Sequence, residues 1–326
     1  MNSAKDPSLN MPSIYIQPKN FADDLSEQRD YCLFLDIDGT LAPFTINPKD
    51  TIIPATTLIL LQSIQSCGVN IAAVTGRSLV EARQMLAPLQ LPIAATHGLE
   101  IALDAGLDSA DNKQNMTDIN STTLTDDGEL ATIKQNIAQT AKSYNDLTIE
   151  NKPYSVALHY RQNPALGKVA YSIMAKVIRD YPHWLLKQGK YVWEMVPKGA
   201  DKGTAILTLL QHLQTDKELY PIFIGDDMTD EAGFSAVQGD RQVIKSQLNK
   251  SGLSKNDSLE KRESVKGMGI KVGSEPTCAH YYVHNIDEVT MLLESFLSFC
   301  QKKISLSSDV VENLPLTAKK TMRVIL

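Results

Sequence analysis

Residues 31–40 read YCLFLDIDGT, and this stretch decides the fold. The five residues YCLFL form a short, continuous apolar run, the pattern of a strand buried on both faces of a parallel sheet. The run ends in Asp36-Ile37-Asp38-Gly39-Thr40. Strand geometry places residues i and i+2 on the same side, so Asp36 and Asp38 point into one crevice at the carboxyl edge of the sheet. Open α/β folds bind their ligands at that edge. Gly39 lets the chain turn sharply and come close to a ligand. Two carboxylates so near each other repel, and a divalent cation that prefers oxygen ligands, Mg²⁺, relieves the repulsion. One carboxylate is then a candidate nucleophile and its neighbour a candidate general acid and base.

Working outward, further apolar runs lie at residues 69–74, 92–95, 221–224, 269–272 and 280–283. Between the early ones the period changes to that of a helix. Leu58, Leu61 and Ile64 mark residues 54–67, and Leu79, Ala82, Met85, Leu86 and Leu89 mark residues 78–89. Strands alternating with helices predict an α/β fold, a doubly wound Rossmann-like parallel sheet. The middle of the chain reads differently: helical patterns at 128–144 and 164–181, strand patterns at 147–150, 155–161, 184–187 and 191–196. This predicts a small inserted α/β cap domain at residues 104–197. The core would then comprise 30–103 and 198–304, with a lead-in at 1–29 and a tail at 305–326. Residues 108–127 and 241–266 are polar, and neither stretch could bury much apolar surface.

Three more groups of chemistry-bearing residues sit at strand ends or helix starts. Val74-Thr75-Gly76-Arg77 offers the Thr75 hydroxyl and backbone N–H to a phosphate oxygen. Asp201 is a candidate N-cap of the helix carrying Ile206, Leu207, Leu210 and Leu213. Lys202 then lies where the helix dipole disfavours a cation, which suggests a local anionic partner such as Asp36 or a phosphate. Gly225-Asp226-Asp227-Met228-Thr229-Asp230-Glu231 crowds acidic groups at one strand end, with Asp226 a third metal carboxylate and Asp230 a helper. The residues alone leave open whether Lys198 or Lys202 is the phosphate lysine.

Composition excludes several function classes. The 326 residues carry 38 Asp+Glu against 32 Lys+Arg, a net charge of −6, with no basic run suited to nucleic acid. No apolar stretch reaches the length of a membrane helix. The four cysteines, Cys32, Cys67, Cys278 and Cys300, form no metal-binding pattern and read as reduced thiols. A cytoplasmic enzyme acting on a small molecule is expected.

These motifs, in this order, resemble the haloacid-dehalogenase-like superfamily of phosphotransferases. Within it, Thr75-Gly76-Arg77, Thr96-His97-Gly98, Ala157-Leu158-His159-Tyr160-Arg161, residues 190–194 (KYVWE), Lys198-Gly199 with Lys202-Gly203, and residues 225–231 (GDDMTDE) are similar to the trehalose-6-phosphate phosphatase family. The resemblance implies Mg²⁺-dependent hydrolysis of trehalose 6-phosphate through an aspartyl-phosphate, the last step of trehalose biosynthesis, with a role in stress. It implies Asp36 as nucleophile, Asp38 as acid and base, and Thr75 and Lys202 on the transferring phosphoryl group. The metal would be held by Asp36, the Asp38 carbonyl and Asp226, with Asp230 close behind. Arg161, Glu194 and Lys198 from the cap, and Arg77, His97 and Glu100 from the core, would reach the sugar. A trehalose-phosphate synthase would be the functional partner. Another sugar phosphate, such as sucrose 6-phosphate or mannosyl-3-phosphoglycerate, and a non-catalytic binding module remain the alternatives. His159 is read as structural.

Overall fold

A computed structural model describes residues 13–45, 47–103, 127–214, 218–239 and 265–312. The larger of its two sheets is built around β2 (Asp30–Leu35), the strand that opens the sequence reading. Also in it are β1 (Ile14–Tyr15), β3 (Asn70–Val74), β4 (Ile93–Ala95), β5 (Glu100–Ala102), β10 (Leu219–Gly225), β11 (Met268–Val272) and β12 (Tyr281–Val283). Their order is β1-β12-β11-β10-β2-β3-β4-β5. Every neighbouring pair is parallel except β4 with β5. β2 is central, and its alternation supplies two cores at once. Leu33 and Leu35 join one apolar cluster, Cys32 and Phe34 the other. On the first face lie α1 (Ala55–Ser66), α2 (Leu79–Leu86) and α7 (Ile286–Glu312), through Leu61, Ile64, Leu86 and Phe296. On the second lie α5 (Lys202–Leu213) and α6 (Glu231–Gln238), through Ile206, Leu209 and Phe234. Each such fully buried Leu or Phe contributes about 1.5–3 kcal/mol.

The second sheet runs β6 (Thr148–Asn151), β7 (Val156–His159), β9 (Val192–Pro197), β8 (Trp184–Gly189), antiparallel throughout. α3 (Asp127–Ala141) and α4 (Gly167–Val177) cover one face, where Ile133, Ile137, Ile173 and Met174 meet Val156, Leu158 and Met195. The register puts Glu150 beside Ala157, Ala157 beside Glu194 and Glu194 beside Lys187. This polar row lies on the other face because successive side chains alternate. It looks onto the carboxyl edge of the large sheet.

Several sequence expectations change. Residues from Ile14 onward are not a loose lead-in: β1 pairs with β12, and Ile16 and Phe21 are buried in the core. Residues 305–312, expected to belong to a tail, continue α7 to Glu312. The sequence reading left α7 unassigned, although Val289, Leu292, Leu293, Phe296 and Cys300 recur at helical spacing and are all buried. β5 also went unassigned. It is an antiparallel edge strand of only three residues, too short for a period. The polar stretch 108–126 and residues 241–264 lie outside the described residues, as do residues 313–326.

Candidate active site

β2 delivers Asp36 to the sheet edge, and the β2–β10 pairing continues one residue further, with Asp36 N–H donating to the Ile224 carbonyl at 3.0 Å. The chain then folds back within six residues. Gly39 N–H donates to the Ala42 carbonyl at 2.8 Å, and Gly39 has φ +83°. A Cβ there would lie 2.3 Å from Asp226 Oδ2. Only glycine lets this loop rest against the carboxylate at the end of β10. Ile37 is fully buried in the core, facing away from the site.

Lys202 is the first residue of α5, which Asp201 caps by accepting from Thr204 N–H at 2.8 Å. Its Nζ donates to Asp36 Oδ1 at 2.8 Å and Asp230 Oδ1 at 2.7 Å. Asp230 is fully buried, and its other oxygen accepts from Asp226 N–H and Asp227 N–H at 2.9 and 3.0 Å. Asp230 thus ties the acidic loop together and orients the lysine. The burial of Lys202 would lower its pKa, but Asp230 and Asp36 hold it well above the ordinary value. Lys198, the other candidate for this role, is exposed and spends its backbone N–H on the His183 carbonyl.

Burial pushes Asp36 well above the usual carboxylate range against the pull of Lys202. Burial and the neighbouring Asp227 and Asp230 do the same to Asp226. Asp230 is pushed up to about 6, again chiefly by burial. Among the described residues, both carboxylate oxygens of Asp226 are buried without a hydrogen-bond partner. The cap lysine Lys190 approaches Oδ2 at 3.6 Å. Asp36, Asp226 and Asp230 each place an oxygen within 4.8 Å of the others. Oxygen donors alone, an orphaned buried carboxylate and a glycine-tight wall fit a hard divalent cation.

Asp38 is half-buried and gripped by Arg77, whose Nε donates to Oδ2 at 2.7 Å and Nη2 to Oδ1 at 2.6 Å. Thr75 is buried beside it, but not as the sequence suggested: its backbone N–H is already donated to the Ala94 carbonyl at 2.8 Å and its Oγ1 accepts from Arg77 N–H at 3.2 Å, leaving the hydroxyl proton to donate to a ligand.

From the cap, Glu194 sits buried in the polar row of its sheet. Its Oε1 accepts from Ser155 at 2.6 Å and Lys152 at 3.1 Å, and its Oε2 faces His97 Nε2 at 3.0 Å. Burial would raise the Glu194 pKa, but Lys152 and His97 hold it well below the usual range. His97 is pushed down to about 4 by burial, despite Glu194. A neutral ring facing a carboxylate must donate through Nε2–H. Arg161 donates to the Thr45 carbonyl at 2.6 Å and lies over the Phe44 ring at 4.9 Å. It lines the cavity with Asp36, Asp38, Thr75 and Lys202.

Two expected substrate residues are not brought to this cavity. Lys198 points to solvent. Glu100 is buried behind the wall, where it accepts from Thr96 Oγ1 at 2.6 Å and from Leu79 N–H at 3.4 Å. It braces a strained turn, since Thr96, His97 and Gly98 all have positive φ. Conversely, Lys152, Lys187, Lys190 and His159 line the cavity. Lys187 is held down at about 8 by burial. His159 Nε2 bonds Glu150 Oε2 at 2.8 Å. The signal for Lys187 was its alternation in a strand, but pairing it with Glu194 required the register. Lys152 lies in a connecting loop and carried no signal. The core therefore brings Asp36, Asp38, Arg77 and Lys202 to this cleft, and the cap adds Lys152, Arg161, Lys187 and Lys190 beside Glu150 and Glu194, an arrangement that suits a phosphorylated ligand held over a metal.

Comparison with known proteins finds relatives over most of the chain. The trehalose-phosphatase family model matches residues 34–266. The trehalose-6-phosphate phosphatase of Escherichia coli (strain K12) is 28% identical over 277 residues, 84% of this chain and 89% of the relative. A probable trehalose-phosphate phosphatase of Sinorhizobium fredii is 32% identical over 222 residues, 67% and 78% respectively. The fold is that of the C. albicans trehalose-6-phosphate phosphatase C-terminal domain, with TM-score 0.67 at 22% identity, covering 90% of this chain and 99% of that one.

Proposed function

This chain belongs to the trehalose-phosphatase family of phosphoric monoester hydrolases, and we propose that it hydrolyses trehalose 6-phosphate to trehalose and phosphate through an aspartyl-phosphate. The observation that carries the reading is the buried contact of Asp36 with Lys202, 2.8 Å, beside the Asp226 carboxylate, whose oxygens accept no hydrogen bond among the described residues. Lys202 holds Oδ1 of Asp36 and leaves Oδ2 to attack phosphorus. The ester bond from phosphorus to the sugar 6-oxygen breaks, and Asp38 supplies the proton to the departing oxygen. The Arg77 fork occupies both oxygens of Asp38 in the resting site, so one of its bonds gives way when Asp38 turns to the substrate. Asp38 then takes a proton from water as the water oxygen bonds to phosphorus. The Asp36 oxygen leaves as carboxylate, and phosphate is released. Lys202 and the Thr75 hydroxyl face the charge on the phosphoryl oxygens.

We assign Mg²⁺ to Asp36, Asp226 and the Asp38 carbonyl, with Asp230 behind them; when bound it would neutralise the crowded carboxylates and the phosphoryl charge. Residues 104–197 act as the specificity cap, with Arg161 and Glu194 at the sugar beside Arg77 and His97 of the core, and Lys152, Lys187 and Lys190 adding positive charge. The four free thiols fit a reducing cytoplasm. A trehalose-phosphate synthase is the partner that supplies the substrate.

The test is phosphate release from a panel of sugar phosphates, with Mg²⁺ and with EDTA, for wild type and Asp36→Asn. Mg²⁺-dependent turnover of trehalose 6-phosphate, lost in the variant, supports the reading. Faster turnover of sucrose 6-phosphate would replace the substrate, and no turnover of any ester would overturn the reaction.

A further inference from the structure

The turn Thr75-Gly76-Arg77 carries two of the groups that the reaction uses. Thr75 presents its hydroxyl to the phosphoryl group, and Arg77 grips Asp38. Its three successive carbonyls are all engaged, but not by the same body of the protein. The Thr75 carbonyl accepts from His97 N–H at 3.0 Å and the Arg77 carbonyl from Thr96 N–H at 2.8 Å, both within the core. The middle one, Gly76, accepts from Lys152 Nζ at 2.7 Å, and Lys152 belongs to the cap, between β6 and β7.

Lys152 is almost wholly buried, and a lysine is seldom buried without strong partners. Its Nζ has two besides Gly76: Glu194 Oε1 at 3.1 Å and Glu150 Oε2 at 3.9 Å. Glu194 in turn holds the His97 ring, which packs against Gly76 so closely that a Cβ on Gly76 would stand 2.7 Å from it. The cap therefore reaches the turn from two sides, through Lys152 on the Gly76 carbonyl and through Glu194 on His97. A cap that touched only sugar would have no use for a buried cation on a core backbone carbonyl.

We propose that Lys152 is a positioning residue for the chemical step: by docking on the Gly76 carbonyl when the cap is closed, it sets the Thr75-Gly76-Arg77 turn and so aligns the Thr75 hydroxyl and the Arg77–Asp38 pair. Cap closure is thereby transmitted to the phosphoryl site, rather than serving only to select the sugar. The inference rests on the phosphatase reading above. A shift of about 1 Å in such groups lowers turnover by roughly 100-fold.

Removing Lys152 alone would strand the buried Glu194 charge, so the informative pair is Glu194→Gln and the double variant Lys152→Met/Glu194→Gln. The substrate is p-nitrophenyl phosphate with Mg²⁺, which has no sugar hydroxyl for the cap to bind, and urea unfolding checks that each variant is folded. Glu194→Gln is the reference, whatever its own kcat, and the expected result is that the double variant falls roughly 10- to 100-fold below it. Lys152→Arg, which preserves the charge and a donor, should recover part of that loss. Equal kcat in the folded double variant and in Glu194→Gln would overturn the inference, leaving Lys152 a sugar contact or a structural cation. Absence of turnover in the wild type, on this ester and on trehalose 6-phosphate, would instead overturn the phosphatase reading.

Discussion

Replacing Lys202 by methionine removes the one buried cation between Asp36 and Asp230 while keeping the volume of its stem. At an effective dielectric of about 20, contacts of 2.8 and 2.7 Å are each about 6 kcal/mol of attraction. Desolvation of three charged groups cancels much of this, and breaking a buried pair from one side typically costs about 3–5 kcal/mol. The loss should depend on pH, with a sign that follows from the carboxylates. Burial already raises Asp36, and it raises Asp230 to about 6, while Lys202 pulls both down. Without the lysine both rise further above their unfolded values near 4, so the folded variant holds more protons than the unfolded chain across that window. Stability then falls as pH rises, and the deficit against wild type should be small near pH 4–5 and full by pH 8. Urea unfolding in EDTA at pH 5 and pH 8 measures both. A deficit below about 1 kcal/mol, or one equal at the two pH values, would refute the argument that Lys202 is there to hold two buried anions.

Other expectations follow from the same geometry. Gly39→Ala should abolish Mg²⁺ binding by calorimetry and activity together, because its Cβ would overlap Asp226 Oδ2 and its φ is +83°. Mg²⁺ at 100 times its Kd should stabilise the enzyme by about 2.7 kcal/mol. Its apparent affinity should be weaker at pH 5 than at pH 7, since the raised Asp36, Asp226 and Asp230 then hold protons that the metal must displace. His97, held at about 4 against about 6.5 unfolded, makes the native state exclude a proton; its contribution is complete above pH 6.5 and about 3 kcal/mol is lost as pH falls towards 4. His97→Asn, which tolerates the left-handed backbone, should flatten that part of a stability–pH curve. Lys198→Ala, at an exposed position outside the cavity, should change kcat/KM for trehalose 6-phosphate by less than about threefold.

The carboxylate-lined edge of the large sheet was legible because its signals are local. An apolar run followed by Asp36-Ile37-Asp38-Gly39 states both the strand and what lies at its end, and Lys202 at a helix start is improbable without an anion nearby. That the Asp226 carboxylate reaches this edge was readable for the same reason, Asp226 being the first side chain after a buried strand and its glycine. The cap was legible as a unit but not as a surface. Its strands were assigned correctly, whereas Lys198 and Glu100, placed at the sugar from their motifs, turn out to face solvent and the back of the wall. Which cations face the cavity depends on how four antiparallel strands are registered and on which face the helices cover.

The sequence by itself determined the doubly wound core and the order of the acidic and basic groups along it, because strand alternation and helix starts assign direction within a few residues. Only the tertiary structure decided that Lys152 reaches the Gly76 carbonyl, that Glu194 meets His97, and that Lys202 rather than Lys198 is buried between Asp36 and Asp230. Those contacts join residues 76, 97 and 166 positions apart. The first two arise from the docking of the smaller sheet on the edge of the larger one and the third from the packing of α5 on the larger sheet, and no local period or propensity encodes either.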